Sequence, residues 1–562
     1  MTWSFERKNS RGRHYLCLVQ KKRTPKGPRN VKQIYLGTAD ALFERLQGPP
    51  STPLRSFPFG LGAGLYHAFV ATGLQQGFAR CTPRSLFDGY RVENVLFLQL
   101  VGRVEKPLSR EEMAPWVSRS ALDLLVPSMG HPSSRTLRRY LKRLYGREEG
   151  PERGEGVLSR AVARRIEEHV FRTLLSKGID PRFLLFDTTN FFAYHQGGQL
   201  WRRAHGKEKR YDKLHVGLGM VTLGNLPCLT EVYPANEADP KVFARVFDTL
   251  VKRLVDLDVA TKKLIMVFDR GINSEDNFAL VTGAMHVIAA LNRSHARKLF
   301  EVPLERFREV SKDREERPIR GFATLWEGFG QEWRVLVVYR KAEAEHDRKT
   351  WEEIRARVLA GVERLRKAPA RQEKALWRKL SELIPRDYQS EFEVKVEEVP
   401  VMRKGKPTKG YLPTVRVDEG AEARLLASFG KAALITDLPA EELSDAELVE
   451  GMTARAQVEE DFRWLKDRHV VSVKPFYLWH DATVPGHIFL CVMGLLLLRY
   501  LQWELRELNL SMPRLVELLE RIRVVLVRAQ DGSPKMVLEQ MDREEALVFS
   551  KLNLGRFIPS VE

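Results

Sequence analysis

Residues 181–295 alternate short apolar runs with amphipathic stretches, and this order limits the possible folds more than any other feature of the chain. The run RFLLFDTTNFF comes first; KLHVGLGMVTL and LPCLTEVYP follow and flank Gly224-Asn225, a dipeptide suited to a hairpin turn. Next come the helical pattern PKVFARVFDTLVKRL and two further apolar runs, KKLIMVF and AMHVIAAL. The predicted order is therefore strand, hairpin, helix, strand, helix and strand. This order predicts an α/β fold built on a mixed sheet.

Two of these apolar runs end in an aspartate. Asp187 closes the first run, and Asp269 closes KKLIMVF and is followed by Arg270-Gly271. The ends of buried strands are where an α/β sheet displays functional side chains. If the two strands are neighbours, the carboxylates repel each other unless a hard cation lies between them, and Mg²⁺ prefers oxygen ligands. Taken singly, each aspartate also fits a plainer role: Asp187 as a turn cap, and Asp269 as a partner of Arg270.

A third acidic residue lies in Met452–Lys466, MTARAQVEEDFRWLK, which is rich in good helix formers and has no Gly or Pro. On a helix, Arg455, Glu459 and Lys466 share one face, and a separate apolar stripe packs inward, formed by Val458, Phe462 and Leu465. A solvated face with ordinary charge pairs explains the first face equally well. The order R-x3-E-x6-K is nevertheless more specific than a count of charges.

Together these segments resemble the DDE transposases of bacterial insertion sequences. The signature Y-x2-R-x3-E-x6-K of that family matches this helix, except that Met452 stands where the family usually has Tyr. Further similar segments are F-D-T-T-x-F-F, the hairpin with its x-N-E-x-D continuation, D-R-G, ALITDL, VKPFY and GHIFL. The resemblance extends roughly from Phe183 to Leu501.

The resemblance implies a ribonuclease-H-like core in which Asp187, Asp269 and Glu459 are the catalytic, metal-binding triad. It implies two Mg²⁺ or Mn²⁺ ions as cofactors; such ions, about 4 Å apart, activate a water or a 3′-hydroxyl and stabilise the leaving oxygen. It also implies that Arg455 and Lys466 hold phosphates of the transposon end. The substitution at Met452 affects one DNA contact and leaves the carboxylate chemistry unchanged.

The overall charge agrees with a nucleic-acid partner. The chain has 562 residues and a formal net charge of +19, with an isoelectric point near 9.7. A basic protein gains affinity for DNA because neutralised phosphates release counterions. The four cysteines form no C-x-x-C pair, so neither a zinc site nor a disulfide framework is indicated. No apolar signal core begins the chain, and Ile488 to Leu498 is too short to span a bilayer, so we expect a cytoplasmic, nucleoid-associated protein without a membrane.

The N-terminal third is predicted to contact DNA. Residues 1–48 read as a basic hairpin of two strands, RHYLCLVQ and VKQIYLG, which lies along a DNA backbone or forms a plain surface ribbon. Residues 49–180 read as a helical DNA-binding region that contains the basic segment SSRTLRRYLKRLYG. A solvated basic face is the alternative for this helix. Its candidate DNA contacts are Arg135, Arg138, Arg139 and Lys142, and the loop RRAHGKEKRYD adds Lys207 and Arg210.

The remaining boundaries follow from a long gap between Asp269 and Glu459, which is too long for a simple connection. The core is therefore predicted at 181–295 and 431–505, with an insertion domain at 296–430 and a helical C-terminal region at 506–562. The resemblance implies that the insertion is mainly β. Within the insertion, residues 349–385 read as a highly charged helical pair.

These observations predict an insertion-sequence transposase, an endonuclease that cleaves double-stranded DNA at terminal inverted repeats and joins the 3′-hydroxyls to target DNA. A homodimer is expected in the DNA complex, because two ends must be held together. Two alternatives stay open: a nuclease on the same fold that cuts without joining, and an inactive DNA-binding relative.

Overall fold

The chain is a mixed α/β protein with a large mixed sheet. The computed structural model describes residues 2–10, 13–24, 27–46, 55–81, 90–126, 130–144, 161–194, 198–204, 210, 212–313, 315–403, 406–478, 481, 483–528 and 534–558. It divides into two compact units. The first comprises Met1–Gly64, Val117–Pro127 and Val516–Glu562, and the second comprises Leu65–Trp116 and Ser128–Leu515.

The first unit contains two small antiparallel sheets. Strands β1 (Thr2–Ser10), β2 (Arg13–Thr24) and β3 (Gly27–Gly37) form one sheet in that order, and helix α1 (Ala39–Leu46) follows. The predicted two-stranded hairpin is therefore incomplete, because MTWSFERKNS adds a third strand along β2. The other sheet pairs β4 (Arg55–Pro58) with two strands from the end of the chain, β16 (Arg523–Arg528) and β17 (Pro534–Leu538).

The C-terminal region, predicted to be helical, also contains two strands. LVELLERIRVVLV begins as a helix, but its β-branched end RVVLVR forms β16, where Val524 is fully buried. Helices α17 (Met512–Arg521) and α18 (Arg543–Lys551) flank the two strands. The partner strand β4 lies more than four hundred positions earlier in the chain, so local sequence does not reveal this pairing.

Helices precede the large sheet, as predicted for the N-terminal region. They are α2 (Gly60–Ala71), α3 (Leu74–Cys81), α4 (Val92–Val104), α5 (Arg110–Val117), α6 (Leu122–Leu125), α7 (Ser134–Leu144) and α8 (Ala161–Ser176). The basic segment forms α7, which buries Leu137, Tyr140 and Leu141 and lies against α4 and, later in the chain, α16 (Val484–Glu504).

The large sheet has nine strands in the order β10-β11-β12-β15-β9-β8-β5-β6-β7. Its bounds are β5 (Phe183–Ala193), β6 (Leu214–Leu223), β7 (Leu226–Pro234), β8 (Ile265–Phe268), β9 (His286–Ala290), β10 (Arg308–Lys312), β11 (Pro318–Gly328), β12 (Gln331–Tyr339) and β15 (Lys431–Thr436). Strands β5, β8 and β9 are parallel, and the remaining pairs are antiparallel. The predicted succession of strand, hairpin, helix, strand, helix and strand in 181–295 is confirmed.

Helices cover both faces of this sheet. Helix α9 (Asp239–Asp256) packs Phe243 against Phe186 and Phe268, and α10 (Glu275–Ala284) and α11 (Arg293–Phe300) follow β8 and β9. Helix α15 (Asp445–Trp464) contacts β5, β8 and β9. Because neighbouring residues of a strand point to opposite faces, Asp187 faces away from the side on which Phe186 meets α9.

The expectation of a mainly β insertion is wrong. Strands β10–β12 extend the large sheet through the β12–β15 pair, so 296 does not mark a departure from that sheet. The rest combines α12 (Lys341–Arg366), α13 (Glu373–Leu383) and α14 (Glu419–Ala427) with one hairpin, β13 (Phe392–Arg403) and β14 (Lys406–Val417). These elements share a small core around Trp351, Leu380 and Phe392. The predicted charged helical pair is confirmed as α12 and α13.

One helix, α16, is long and apolar enough to cross a membrane by length and composition, among the residues that the structure describes. Its apolar window is completely buried inside the protein. The apolar run Ile488 to Leu498 lies within this helix, and all its residues are buried.

Candidate active site

Asp187 and Asp269 lie side by side on two paired parallel strands. Phe183 pairs with Ile265, 82 positions later (265 − 183), and Asp187 and Asp269 are separated by the same 82 positions (269 − 187). Continuing the register therefore brings the two aspartates level with each other. Asp269 follows the last residue of β8, as predicted. Asp187, in contrast, lies within β5 and not at its end, because the strand continues to Ala193 along β6.

Helix α15 brings the third acid to the same place. It begins earlier than predicted, at a capping box in which Ser444 and Glu447 satisfy each other's backbone N–H groups. The helix approaches the sheet closely at Gly451, since a Cβ there would lie 2.9 Å from side-chain atoms of Phe183 and Ile288. The predicted inward stripe of α15 is confirmed, with the following residues buried: Val458, Phe462 and Leu465.

Arg455 is the point where the three acidic side chains meet. Its Nη2 donates a hydrogen bond of 2.8 Å to Glu459 Oε1. Its Nη1 lies 3.5 Å from Asp269 Oδ2 and 3.7 Å from Asp187 Oδ2. Since both aspartate oxygens adjoin the same nitrogen, at 3.5 Å and 3.7 Å, they are at most 7.2 Å apart. The predicted carboxylates are thus within one small region, with a cation among them.

The three acids differ in their access to solvent. The side chain of Asp187 is 8% exposed, that of Asp269 36% and that of Glu459 49%. Asp187 is fixed by the backbone N–H of Thr188, which donates to its Oδ1 at 2.8 Å. The site therefore has a buried, oriented inner carboxylate and two outer carboxylates open to a ligand.

The donor chemistry suits divalent ions. Three carboxylates provide hard oxygen donors, and one guanidinium leaves an excess of negative charge, which is the environment that Mg²⁺ and Mn²⁺ favour. In the described part of the chain, however, no three acidic, histidine or cysteine side chains are placed as a ready metal site. The reason is geometric: Arg455 stands among the three acids. Asp187, Asp269 and Glu459 would hold an ion after the guanidinium moves aside.

An open cleft of about 1510 Å³ adjoins this cluster. Asp269, Arg455 and Glu459 line it together with basic side chains that include Arg293 and Lys312. The volume exceeds the roughly 300–1,000 Å³ of ordinary small-molecule pockets, and the lining is charged. Acidic side chains such as Glu315 and Glu450 also line the cleft. The mixed charge favours a polar or charged ligand over a compact apolar one.

Tyr233, which was not identified from the sequence, lies on the α9 face of the sheet, opposite to the face of Asp187. Its ring lies against β6 at Gly217, where a Cβ would come within 2.4 Å of the ring. Its hydroxyl donates to Asp239 Oδ1 at 3.3 Å, and burial together with Asp239 raises its pKa. The x-N-E-x-D continuation thus includes a residue that anchors this tyrosine, a role that is visible only once β6 and β7 pair.

Lys466 lies near a later part of β5 than Asp187 does. Its Nζ lies 5.6 Å from the ring centroid of Phe191, four residues beyond Asp187 on β5 and about 13 Å along the strand. The neighbouring rings carry more cations: Arg210 and Lys474 lie over Phe192 at 5.2 Å and 3.7 Å. Lys474 was not predicted. These side chains place three cations near the end of β5, one of which, Arg210, pairs with Asp212.

The other predicted DNA contacts lie apart from this cluster or cannot be placed. Arg210 is engaged with Asp212 at 3.1 Å. On α7, Arg135 and Arg138 are exposed and Arg139 is half-buried, and Arg138 pairs with Glu111 at 3.3 Å. Lys207 lies outside the described residues, as does the side chain of Lys142.

A buried ion pair holds α15 against α16 beside the site. Arg499 Nε donates to Asp461 Oδ1 at 2.6 Å, and Arg499 Nη2 lies 3.1 Å from Glu460 Oε2. Asp461 is fully buried, and burial raises its pKa to about 7 although Arg499 lies against it. This contact fixes the rotation of α15 two residues from Glu459.

Two paired strands carry the aspartates, and helix α15 adds arginine and glutamate. This is the arrangement that the sequence predicted for a DDE-type enzyme. Residues 178–472 match the family of transposase DDE domains, and the chain belongs to this family. Such enzymes transfer phosphoryl groups and generally use divalent metal ions. Among solved structures, the chain is similar to a piggyBac transposase in a cryo-EM synaptic complex with hairpin DNA; the identity is 9%, with a TM-score of 0.37 over 90% of this chain and 88% of that chain. A search of curated proteins gave no match.

Proposed function

We propose that this protein is the transposase of a bacterial insertion sequence. It binds the terminal inverted repeats of its element, cleaves the DNA at both ends and joins the 3′-hydroxyls to target DNA. The convergence of Asp187, Asp269 and Glu459 on Arg455 is the observation that carries the proposal. Membership of the DDE domain family supports it.

The core of this proposal is a ribonuclease-H-like fold. The chain order in β5–β9 is three antiparallel strands, a helix, a parallel strand, a helix and a second parallel strand. In the sheet these strands lie in the order β7-β6-β5-β8-β9. This arrangement supports the implied core and gives α15 one face of the sheet to complete. The roles of the flanking regions, including DNA binding by the helical N-terminal region, belong to the same proposal.

Asp187, Asp269 and Glu459 would hold two Mg²⁺ or Mn²⁺ ions, which when bound activate the attacking hydroxyl and stabilise the leaving 3′-oxygen. The backbone N–H of Thr188 fixes the carboxylate of Asp187. This carboxylate is therefore already oriented before the reaction begins. Arg455 provides a planar guanidinium suited to two phosphate oxygens once it leaves the acids. Lys466 provides a point charge farther along β5, where the cations near the end of that strand support contact with the DNA backbone.

Double-stranded DNA is the proposed partner, both as transposon end and as target, and a homodimer in the cytoplasm, associated with the nucleoid, is the proposed working form. The net charge of +19 supports a polyanionic partner. Phosphoryl transfer of this kind needs no covalent protein intermediate. A water or a 3′-hydroxyl is the nucleophile, and the chain positions the phosphate.

The test is an assay of cutting and joining on labelled duplexes from both flanks of the gene, with a circular plasmid as the target. We expect metal-dependent cuts at mirrored positions in the two flanks and labelled strands joined to the plasmid. Cuts without joined product would instead support a nuclease on the same fold. Binding without cuts in Mg²⁺ or Mn²⁺ would support an inactive DNA-binding relative.

A further inference from the structure

The three-stranded sheet β1–β3 has two chemically different faces. Side chains of paired residues lie on the same face, and consecutive residues alternate. Pairing of Trp3 with Gln20 and of Phe5 with Leu18 places both aromatic residues on the side of β2 that carries its even-numbered residues. Pairing of Gln20 with Lys32 and of Lys22 with Arg29 adds cations to the same side. Arg7, opposite Leu16, completes this side.

We call this side the basic-aromatic face and define it by Trp3, Phe5, Arg7, Lys22, Arg29 and Lys32. All six residues are exposed, with Trp3 at 42% and Phe5 at 69%. None of its four cations forms an ion pair with a residue that the structure describes. The only acidic residue of the three strands, Glu6, lies on the other face, where it pairs with Lys21. That other face also contains the buried residues Cys17 and Val19.

We propose that the basic-aromatic face binds duplex DNA, as a contact separate from the site that contains Asp187. Four cations that pair with no acidic residue in the described ranges attract a polyanion, because each phosphate contact releases counterions. This inference rests on the proposed function for its choice of DNA among polyanions. It adds a binding surface to which neither the family match nor the catalytic site assigns any role.

The geometry favours a duplex over a single strand. Strands are spaced about 4.7–4.9 Å apart, so the three strands are about 10 Å wide, within the roughly 12 Å of a major groove. The centre of the face is aliphatic, formed by Leu16, Leu18 and Ile34. Aliphatic side chains and phenylalanine contact thymine methyl groups in the groove, so this centre together with Phe5 suits a duplex. A symmetric contact with a second copy would place cations against cations.

Two consecutive residues of β1 provide a matched test. Arg7 and Lys8 are both exposed, but they point to opposite faces of the sheet. Binding of full-length protein to a labelled flank duplex is measured across a range of salt concentrations. The slope of log K against log salt is negative. We expect Arg7→Gln to reduce its magnitude by about 0.9 and Lys8→Gln to leave it unchanged. We expect a triple variant, Arg7→Gln with Lys22→Gln and Lys32→Gln, to reduce the magnitude of the slope by about 2.7.

Several results would overturn this inference. The first is an equal salt slope for Arg7→Gln and Lys8→Gln. The second is that wild type binds a matched single strand more tightly than the duplex. The third is that the triple variant loses binding to anionic lipid vesicles but keeps binding to the duplex. Cleavage in the same samples separates the two proposals. If wild type never cleaves but the triple variant loses duplex affinity, the face binds DNA and the transposase proposal fails. If the triple variant cleaves and binds as wild type does, only the face is refuted.

Discussion

Arg455 donates a hydrogen bond to Glu459, one helical turn later, with Nη2 and Oε1 2.8 Å apart. The same guanidinium reaches both aspartates through its other terminal nitrogen. One side chain therefore neutralises part of the charge of all three acids. This arrangement makes Arg455 a competitor of any cation that binds between them, and we propose that it binds phosphate once it is displaced.

Replacing Arg455 separates these two roles. We expect Arg455→Gln to bind Mn²⁺ more tightly, by about tenfold or about 1.4 kcal/mol, because the competing positive charge is gone. We expect its DNA cleavage to fall, because a phosphate ligand is lost. Titration calorimetry with Mn²⁺ measures the first effect. Arg270→Gln is the matched control, since Arg270 forms no ion pair with a described residue. Unchanged or weaker Mn²⁺ binding by Arg455→Gln would show that the guanidinium does not compete.

The buried pair of Asp461 and Arg499 should be necessary for the stability of the core. Removing one partner leaves the other charge buried, and we expect Arg499→Met to lower the free energy of unfolding by about 3–5 kcal/mol. The double variant Asp461→Leu with Arg499→Leu should be less destabilised than that single variant, because no fully buried charge remains and Glu460 is partly exposed. Urea unfolding of the three proteins measures this. A double variant that is worse than Arg499→Met contradicts the argument.

Glu447 should stabilise the start of α15 in a pH-dependent manner. It closes the capping box with Ser444 and accepts a hydrogen bond from Arg182 at 2.6 Å, and these contacts lower its pKa to about 2. Because the folded-state pKa lies below the ordinary value of 4.5, the stabilisation is complete above pH 4.5 and is lost as the pH falls towards 2. We expect the Tm of Glu447→Gln to lie below that of wild type at pH 7. The difference should shrink below pH 4.5, and a constant difference from pH 7 to pH 3 would exclude this origin.

Lys466 should contribute to DNA affinity without discriminating among sequences. A phosphate contact is worth about one unit of the salt slope, so we expect Lys466→Ala to weaken binding of all duplexes and to lower that slope by about 1. Lys252→Ala, an exposed lysine on α9, is the control. Fluorescence anisotropy across salt concentrations measures both variants. A loss restricted to one DNA sequence would assign Lys466 to base recognition.

Most residues of the candidate site could be predicted because they belong to local sequence patterns. The inward stripe of α15 follows from helical periodicity, and Asp269 follows from the end of an apolar run. The register that aligns Asp187 with Asp269 was not predictable, because it depends on which strands pair. For the same reason sequence placed Asp187 at a strand end, although β5 continues along β6.

The errors in the fold have a similar cause. Alternating residues identified β10–β12 as strands, but their membership of the large sheet depends on the distant β15. The segment RVVLVR was absorbed into a preceding helical pattern, since its partner β4 is far away in the chain. Tyr233 was missed because its position against Gly217 exists only after β6 and β7 have paired.

The most direct test of the account is strand cleavage of a labelled flank duplex by four proteins. They are Asp187→Asn, Asp269→Asn, Glu459→Gln and, as the control, Asp256→Asn, which alters an exposed acid at the end of α9. We predict that the control cleaves in Mg²⁺ or Mn²⁺ and not in EDTA, as wild type does. Each triad variant should lose cleavage while binding the duplex within several-fold of wild type. Cleavage that persists in any of the three would contradict the assignment of these carboxylates to the reaction.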